Sequence, residues 1–121
     1  MMSAVSLAEA ATRKAGALWV SFDGYAPRLV WHLWHDGAVW FVCDGLEQSL
    51  PGAAHAVTAT VTVGRKDVVS WHGAVSRVTH GQPAWGEVVP LLHDRRLNPP
   101  DGEDQPLRWA RESLLVRITP T

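Results

Sequence analysis

Pro27-Arg28-Leu29-Val30-Trp31-His32-Leu33-Trp34-His35, then Asp36-Gly37, then Ala38-Val39-Trp40-Phe41-Val42-Cys43: these seventeen residues decide the fold. Asp-Gly is a favoured two-residue hairpin turn because both positions must accept positive φ. With the turn at Asp36-Gly37, His35 faces Ala38, Trp34 faces Val39, Leu33 faces Trp40, His32 faces Phe41 and Trp31 faces Val42. Side chains alternate across a strand. One face therefore carries Leu29, Trp31, Leu33, Trp40 and Val42, and is expected to fill the core. The other carries Arg28, Val30, His32, Trp34, Val39, Phe41 and Cys43. That mixture of large apolar groups, a cation and a histidine is expected to be covered by a second subunit, a ligand or both.

Further strands follow on either side of the hairpin. Ala17 to Phe22 reads as a strand ending in the turn Asp23-Gly24-Tyr25. Ala56 to Val63 alternates Ala or Val with Thr, the period-two pattern of a half-exposed strand. The turn Gly64-Arg65-Lys66-Asp67 leads to a long strand over Val68 to Thr79, with Gly73 as a bulge. Leu114 to Thr119 is a last strand.

Two helices frame this run. Ser6-Leu7-Ala8-Glu9 matches a capping box and predicts a helix over 7–14, stopped at Gly16. Pro83 suits a first helical turn, and Trp85, Val88, Val89 and Leu92 fall on one helical face. Pro90 is expected to kink or shorten that helix. Asn98 to Pro106 reads as a solvated loop, and Leu107 to Glu112 is ambiguous. Mostly antiparallel strands in sequence order with few helices point to a small barrel.

Composition narrows the function. The chain has 121 residues, which suits one domain over 1–121. Its formal charge is −1, and its basic pairs, Arg65-Lys66 and Arg95-Arg96, are short, so nucleic acid is a poor partner. No apolar run approaches the roughly 20 residues that span a membrane, and Met1 to Glu9 lacks the pattern of a signal peptide. Cys43 stands alone, which rules out an internal disulfide and fits a reducing cytoplasm. No metal site is expected. Seven tryptophans are many for this length. Trp31, Trp40 and Trp71 are expected to fill the barrel, and Trp34 to anchor an interface.

These segments together resemble the pyridoxamine 5′-phosphate oxidase-like, FMN-binding split-barrel superfamily, in a short bacterial form. The resemblance rests on Pro27 to Trp34, Asp36 to Val42, Ala56 to Val63 and Val75-Ser76-Arg77-Val78. It continues through Ala84-Trp85-Gly86-Glu87, Arg96-Leu97-Asn98-Pro99-Pro100-Asp101 and Arg108 to Ser113. It implies a mostly β, small split barrel of about six antiparallel strands with two or three short helices. It further implies a cytoplasmic homodimer with a flavin, FMN or a deazaflavin, held between subunits outside the barrel, and a flavin-dependent oxidoreductase activity on an unknown small molecule. The cofactor-binding candidates are Arg28, Val30, His32, Cys43, Gln48 and Ser49.

The sequence departs from the family at one place. Family members that hold FMN commonly place basic residues after the third strand, where they grip the phosphate. Here that stretch is Asp44-Gly45-Leu46-Glu47-Gln48-Ser49, with Leu46 and Gln48 where cations are expected and Glu47 adding a negative charge. Two alternatives therefore stand beside the flavin enzyme: a non-catalytic homodimeric binding protein without flavin, and a haem or small-ligand carrier using the His32 face. No Ser, His and Asp arrangement suggests a triad, and no Gly-rich phosphate loop follows a strand.

Overall fold

The structure, a computed structural model, describes residues 4–64, 69–95 and 104–121. Helix α1 (Ala4–Lys14) precedes six strands: β1 (Leu18–Phe22), β2 (Arg28–Val30), β3 (Leu33–His35), β4 (Ala38–Cys43), β5 (Thr58–Val63) and β6 (Val69–Val78). Helices α2 (Pro83–Arg95) and α3 (Gln105–Glu112) follow, and β7 (Leu114–Pro120) ends the chain. The turn at Arg65-Lys66 and the segment Arg96 to Asp101 lie outside the described residues.

The strands form one antiparallel sheet in the order β2-β1-β5-β6-β7-β4-β3. β2 and β3 are thus the two edges of the sheet, yet only Trp31 and His32 separate them in sequence. Three residue steps reach about 10 Å at most. The sheet must therefore curl until its edges nearly meet, and the seam between β2 and β3 is the split of the barrel.

The seam corrects the expected hairpin. From Leu33 onward the predicted pairing holds: Leu33 with Trp40, Trp34 with Val39, His35 with Ala38. Asp36 and Gly37 both take positive φ, as the turn requires. Pairing stops there, and the seventh strand arises because one expected strand is divided at Trp31 and His32. The cause is Gln48. The Trp31 N–H donates to Gln48 Oε1 at 3.0 Å, and Gln48 Nε2 donates to the carbonyls of Trp31 at 3.2 Å and Val42 at 3.0 Å. A side-chain amide stands where Val42 would have paired with Trp31.

Two apolar layers pack on the sheet. The barrel interior contains Leu18, Val20, Val30, Val39, Phe41, Cys43, Val61, Trp71, Val116 and Ile118, with Ala8 of α1 among them. The outer layer joins Leu33, Trp40, Val42 and Leu115 to Trp85, Val88, Val89 and Leu92 of α2 and Trp109 of α3. The two hairpin faces are therefore exchanged relative to the sequence reading. The Val30, Val39, Phe41 and Cys43 face fills the barrel, while Trp40 and Val42 lie under helices. Both faces are apolar enough to be buried, so alternation alone did not tell inside from outside.

Smaller expectations divide as well. Trp71 is in the barrel, and half-buried Trp34 packs beside it with rings crossing at 85°. Trp31 packs instead on Trp109 of α3, ring centroids 6.3 Å apart. Helix α1 starts before Ser6, so Ser6 is not its cap, and Glu9 pairs with Arg13 along the helix at 3.3 Å. Helix α2 buries the predicted four residues and runs through Pro90 without shortening. The β5–β6 register runs unbroken through Gly73. A Cβ there would stand 2.5 Å from Ile118 and 2.9 Å from Trp71, so the glycine serves close packing and not a bulge.

Candidate functional site

The sequence candidates surround the seam and the end of β4, but they do not converge on one open surface. Arg28 is exposed on the edge strand β2. Val30 and Cys43 are 1% and 0% exposed inside the barrel. His32 is 5% exposed, and its Nε2 bonds the Thr12 carbonyl of α1 at 2.9 Å. Thr12 is fully buried, and its hydroxyl also accepts from the Trp71 indole at 3.2 Å. One buried threonine thus ties α1 to both the seam and β6.

Electrostatics follow from this burial. His32 is held below its ordinary pKa mainly by desolvation; its bond to Thr12 opposes the shift and the Arg95 charge adds to it. Its Nδ1 is buried with no hydrogen-bond partner among the described residues, so an added proton there would meet no acceptor among them. The Cys43 thiol is pushed up to about 12 by burial, reinforced by the Asp44 charge. A thiol in that state is a poor nucleophile.

The Asp44–Ser49 loop has the most detailed architecture. Asp44 N–H donates to the Gln48 carbonyl at 2.7 Å, Glu47 N–H to the Asp44 carbonyl at 3.1 Å, and Leu50 N–H to Asp44 Oδ1 at 3.2 Å. Ser113 Oγ closes onto the Asp44 carbonyl from the start of β7 at 2.9 Å. Glu47 turns inward and meets Arg108 of α3 at 3.1 Å, their side chains only 0% and 5% exposed. Gln48 lies across the seam. Leu46 is 63% exposed and Ser49 is exposed, so these are the side chains the loop offers to solvent.

Sequence reasoning missed Arg108 as the partner of Glu47. The signal available was the spacing of Gln105, Arg108 and Trp109, one buried face of a short helix. It also missed Arg77, whose guanidinium donates to the carbonyls of Ala53 and Ala56 at 3.1 and 2.7 Å and fastens the loop before β5. His35, at the turn, meets Glu87 of α2 at 2.8 Å.

Other surfaces are open. A groove of ≈ 500 Å³ between α1 and the sheet edge presents Trp19, Leu29 and Val63 beside Lys14. The outer face of β1, β5 and β6 is covered by no helix of the described residues. It carries Ser21 and the hydrogen-bonded pairs Thr60–His72 and Thr62–Ser70, both at 3.1 Å. Among the described residues no group of three or more His, Cys, Asp and Glu side chains is placed to hold a metal. No described helix is long and apolar enough to cross a membrane.

No family model matches the chain, and no curated protein matches it either. Solved structures do. HutZ, the haem storage protein from Vibrio cholerae, aligns over 93% of this chain and 87% of its own, with a TM-score of 0.66 and 8% identity. A candidate pyridoxamine 5′-phosphate oxidase from Listeria innocua aligns over 98% and 94%, with a TM-score of 0.61 and 14% identity. An F420 reductase aligns over 93% and 92%, with a TM-score of 0.59 and 16% identity. Together with the seam at Trp31 and His32, these likenesses show that the chain has a split-barrel fold.

Proposed function

We propose that this chain is a homodimeric split-barrel protein that binds a planar cofactor of the flavin class, FMN or a deazaflavin, and works as an oxidoreductase on a small molecule. The observation that carries this reading is likeness of fold over more than nine-tenths of the chain to an F420 reductase and a candidate pyridoxamine 5′-phosphate oxidase. The uncovered sheet face of β1, β5 and β6 and the exposed Trp19 and Leu29, 44% and 55% accessible, support a second subunit. In such enzymes the flavin supplies the redox chemistry and the protein orients it.

The phosphate of FMN does not fit the Asp44–Ser49 loop. The loop has no cation, and two of its six residues carry carboxylates. That observation favours a second reading, a homodimeric carrier without flavin. The likeness to HutZ, a haem storage protein, supports a haem version of it. Here His32 Nε2 is engaged by the Thr12 carbonyl of α1, and the residue is 5% exposed.

The test is the visible absorbance spectrum of the purified protein, followed by titration with FMN, F420 and haem. The flavin reading expects flavin bands or saturable uptake of FMN or F420. A protein that is colourless and takes up neither overturns it, and a Soret band on haem addition selects the carrier.

A further inference from the structure

We infer that this barrel takes its ligand without a phosphate contact at the Asp44–Ser49 loop, so that the ring system and not the phosphate sets affinity. The inference rests on the flavin reading above. A phosphate loop presents free N–H groups and cationic side chains outward. This loop has no cationic side chain, and two of its N–H groups and its Gln48 carboxamide are turned to internal use. The N–H groups of Asp44, Glu47 and Leu50 end on the Gln48 carbonyl, the Asp44 carbonyl and Asp44 Oδ1. The Gln48 carboxamide is engaged at both its oxygen and its nitrogen across the seam.

Charge points the same way. Among the described residues, the cation that meets the loop at Glu47 is Arg108, buried against that carboxylate at 3.1 Å. A phosphate arriving at the tip would meet the exposed Leu46 and the carboxylate of Asp44, with no positive charge from the loop itself. Glu47 and Gln48 of this loop form a clasp instead, joining α3, the end of β4 and the split of the barrel.

Parallel titrations of the purified protein with FMN and riboflavin, read by quenching of flavin fluorescence, separate the possibilities. The clasp predicts dissociation constants within about threefold of each other, since the only difference between the ligands is the phosphate. It also predicts that Leu46→Arg, an exposed change at the loop tip, raises FMN affinity about tenfold with riboflavin unchanged, the worth of one charge-assisted contact. An FMN advantage of tenfold or more in the unaltered chain overturns the inference and leaves the flavin reading standing. Failure of both flavins to bind overturns the flavin reading, and the inference with it.

Discussion

Two Asp-Gly pairs flank β4, and they hold nearly the same backbone. Asp36 and Gly37 lie at φ of 50° and 72°, Asp44 and Gly45 at 67° and 66°. The first pair closes a two-residue hairpin whose strands pair directly. The second opens a loop that never re-enters the sheet as a partner of β4. What separates them is distant chain: Arg108 reaches Glu47 across 61 residues and Ser113 reaches Asp44 across 69. A dipeptide can set its own torsions, but contacts from far along the chain decide whether a turn returns a strand or builds a site.

The sharpest way to break the comparison is Glu47→Ala. It removes the buried carboxylate that Arg108 meets at 3.1 Å, and loss of one member of a buried pair costs about 3–5 kcal/mol. Urea unfolding should show a loss of that order; a change below about 1 kcal/mol would mean the pair behaves as a surface bridge and the clasp is weak.

The two glycines give a matched test. Gly37→Ala meets only the torsional penalty of positive φ, about 1 kcal/mol, because nothing lies within 4 Å of the added Cβ. At Gly45 the same Cβ would stand 2.9 Å from Ser113 Oγ and 3.1 Å from the Glu112 carbonyl. Gly45→Ala should therefore lower the melting temperature further than Gly37→Ala. Equal losses would show that the second turn is as open as the first.

The smallest effect is a pH dependence at the seam. His32 is neutral in the fold and held below the ordinary 6.5, so the unfolded chain binds the proton more readily. Its contribution is complete above that ordinary value and fades as pH falls from there toward the lowered folded value. His32→Gln, with an amide to donate to the Thr12 carbonyl, should flatten the fall in stability between pH 7 and pH 5. An unchanged slope would move the acid sensitivity to another group.

Much of the fold was legible. The Asp36-Gly37 turn, the Val and Thr alternation of β5 and the Trp85, Val88, Val89, Leu92 face of α2 are local signals, and each appears where the residues place it. The exchange of hairpin faces was not legible, because Val39 and Phe41 are as apolar as Trp40 and Val42 and only the helices decide which layer is inside. The site was less legible still. Gln48 looked like a substituted phosphate ligand, and its place across the seam depends on Trp31 and Val42 arriving from separate elements. Whether Arg28, Val30, His32, Cys43, Gln48 or Ser49 touches a cofactor is a matter for the titrations proposed above. Among these six, burial leaves Arg28 and Ser49 exposed.

The central claim is that Gln48 and its loop belong to the architecture of the split. Hydrogen exchange at the Trp31 amide tests it most directly, since that N–H donates to the Gln48 side chain and lies outside the β3–β4 pairing. The account predicts a protected Trp31 amide that becomes fast-exchanging in Gln48→Ala, while ladder amides in β4 keep their protection. A Trp31 amide that exchanges freely in the unaltered protein, or one indifferent to Gln48→Ala, would contradict it.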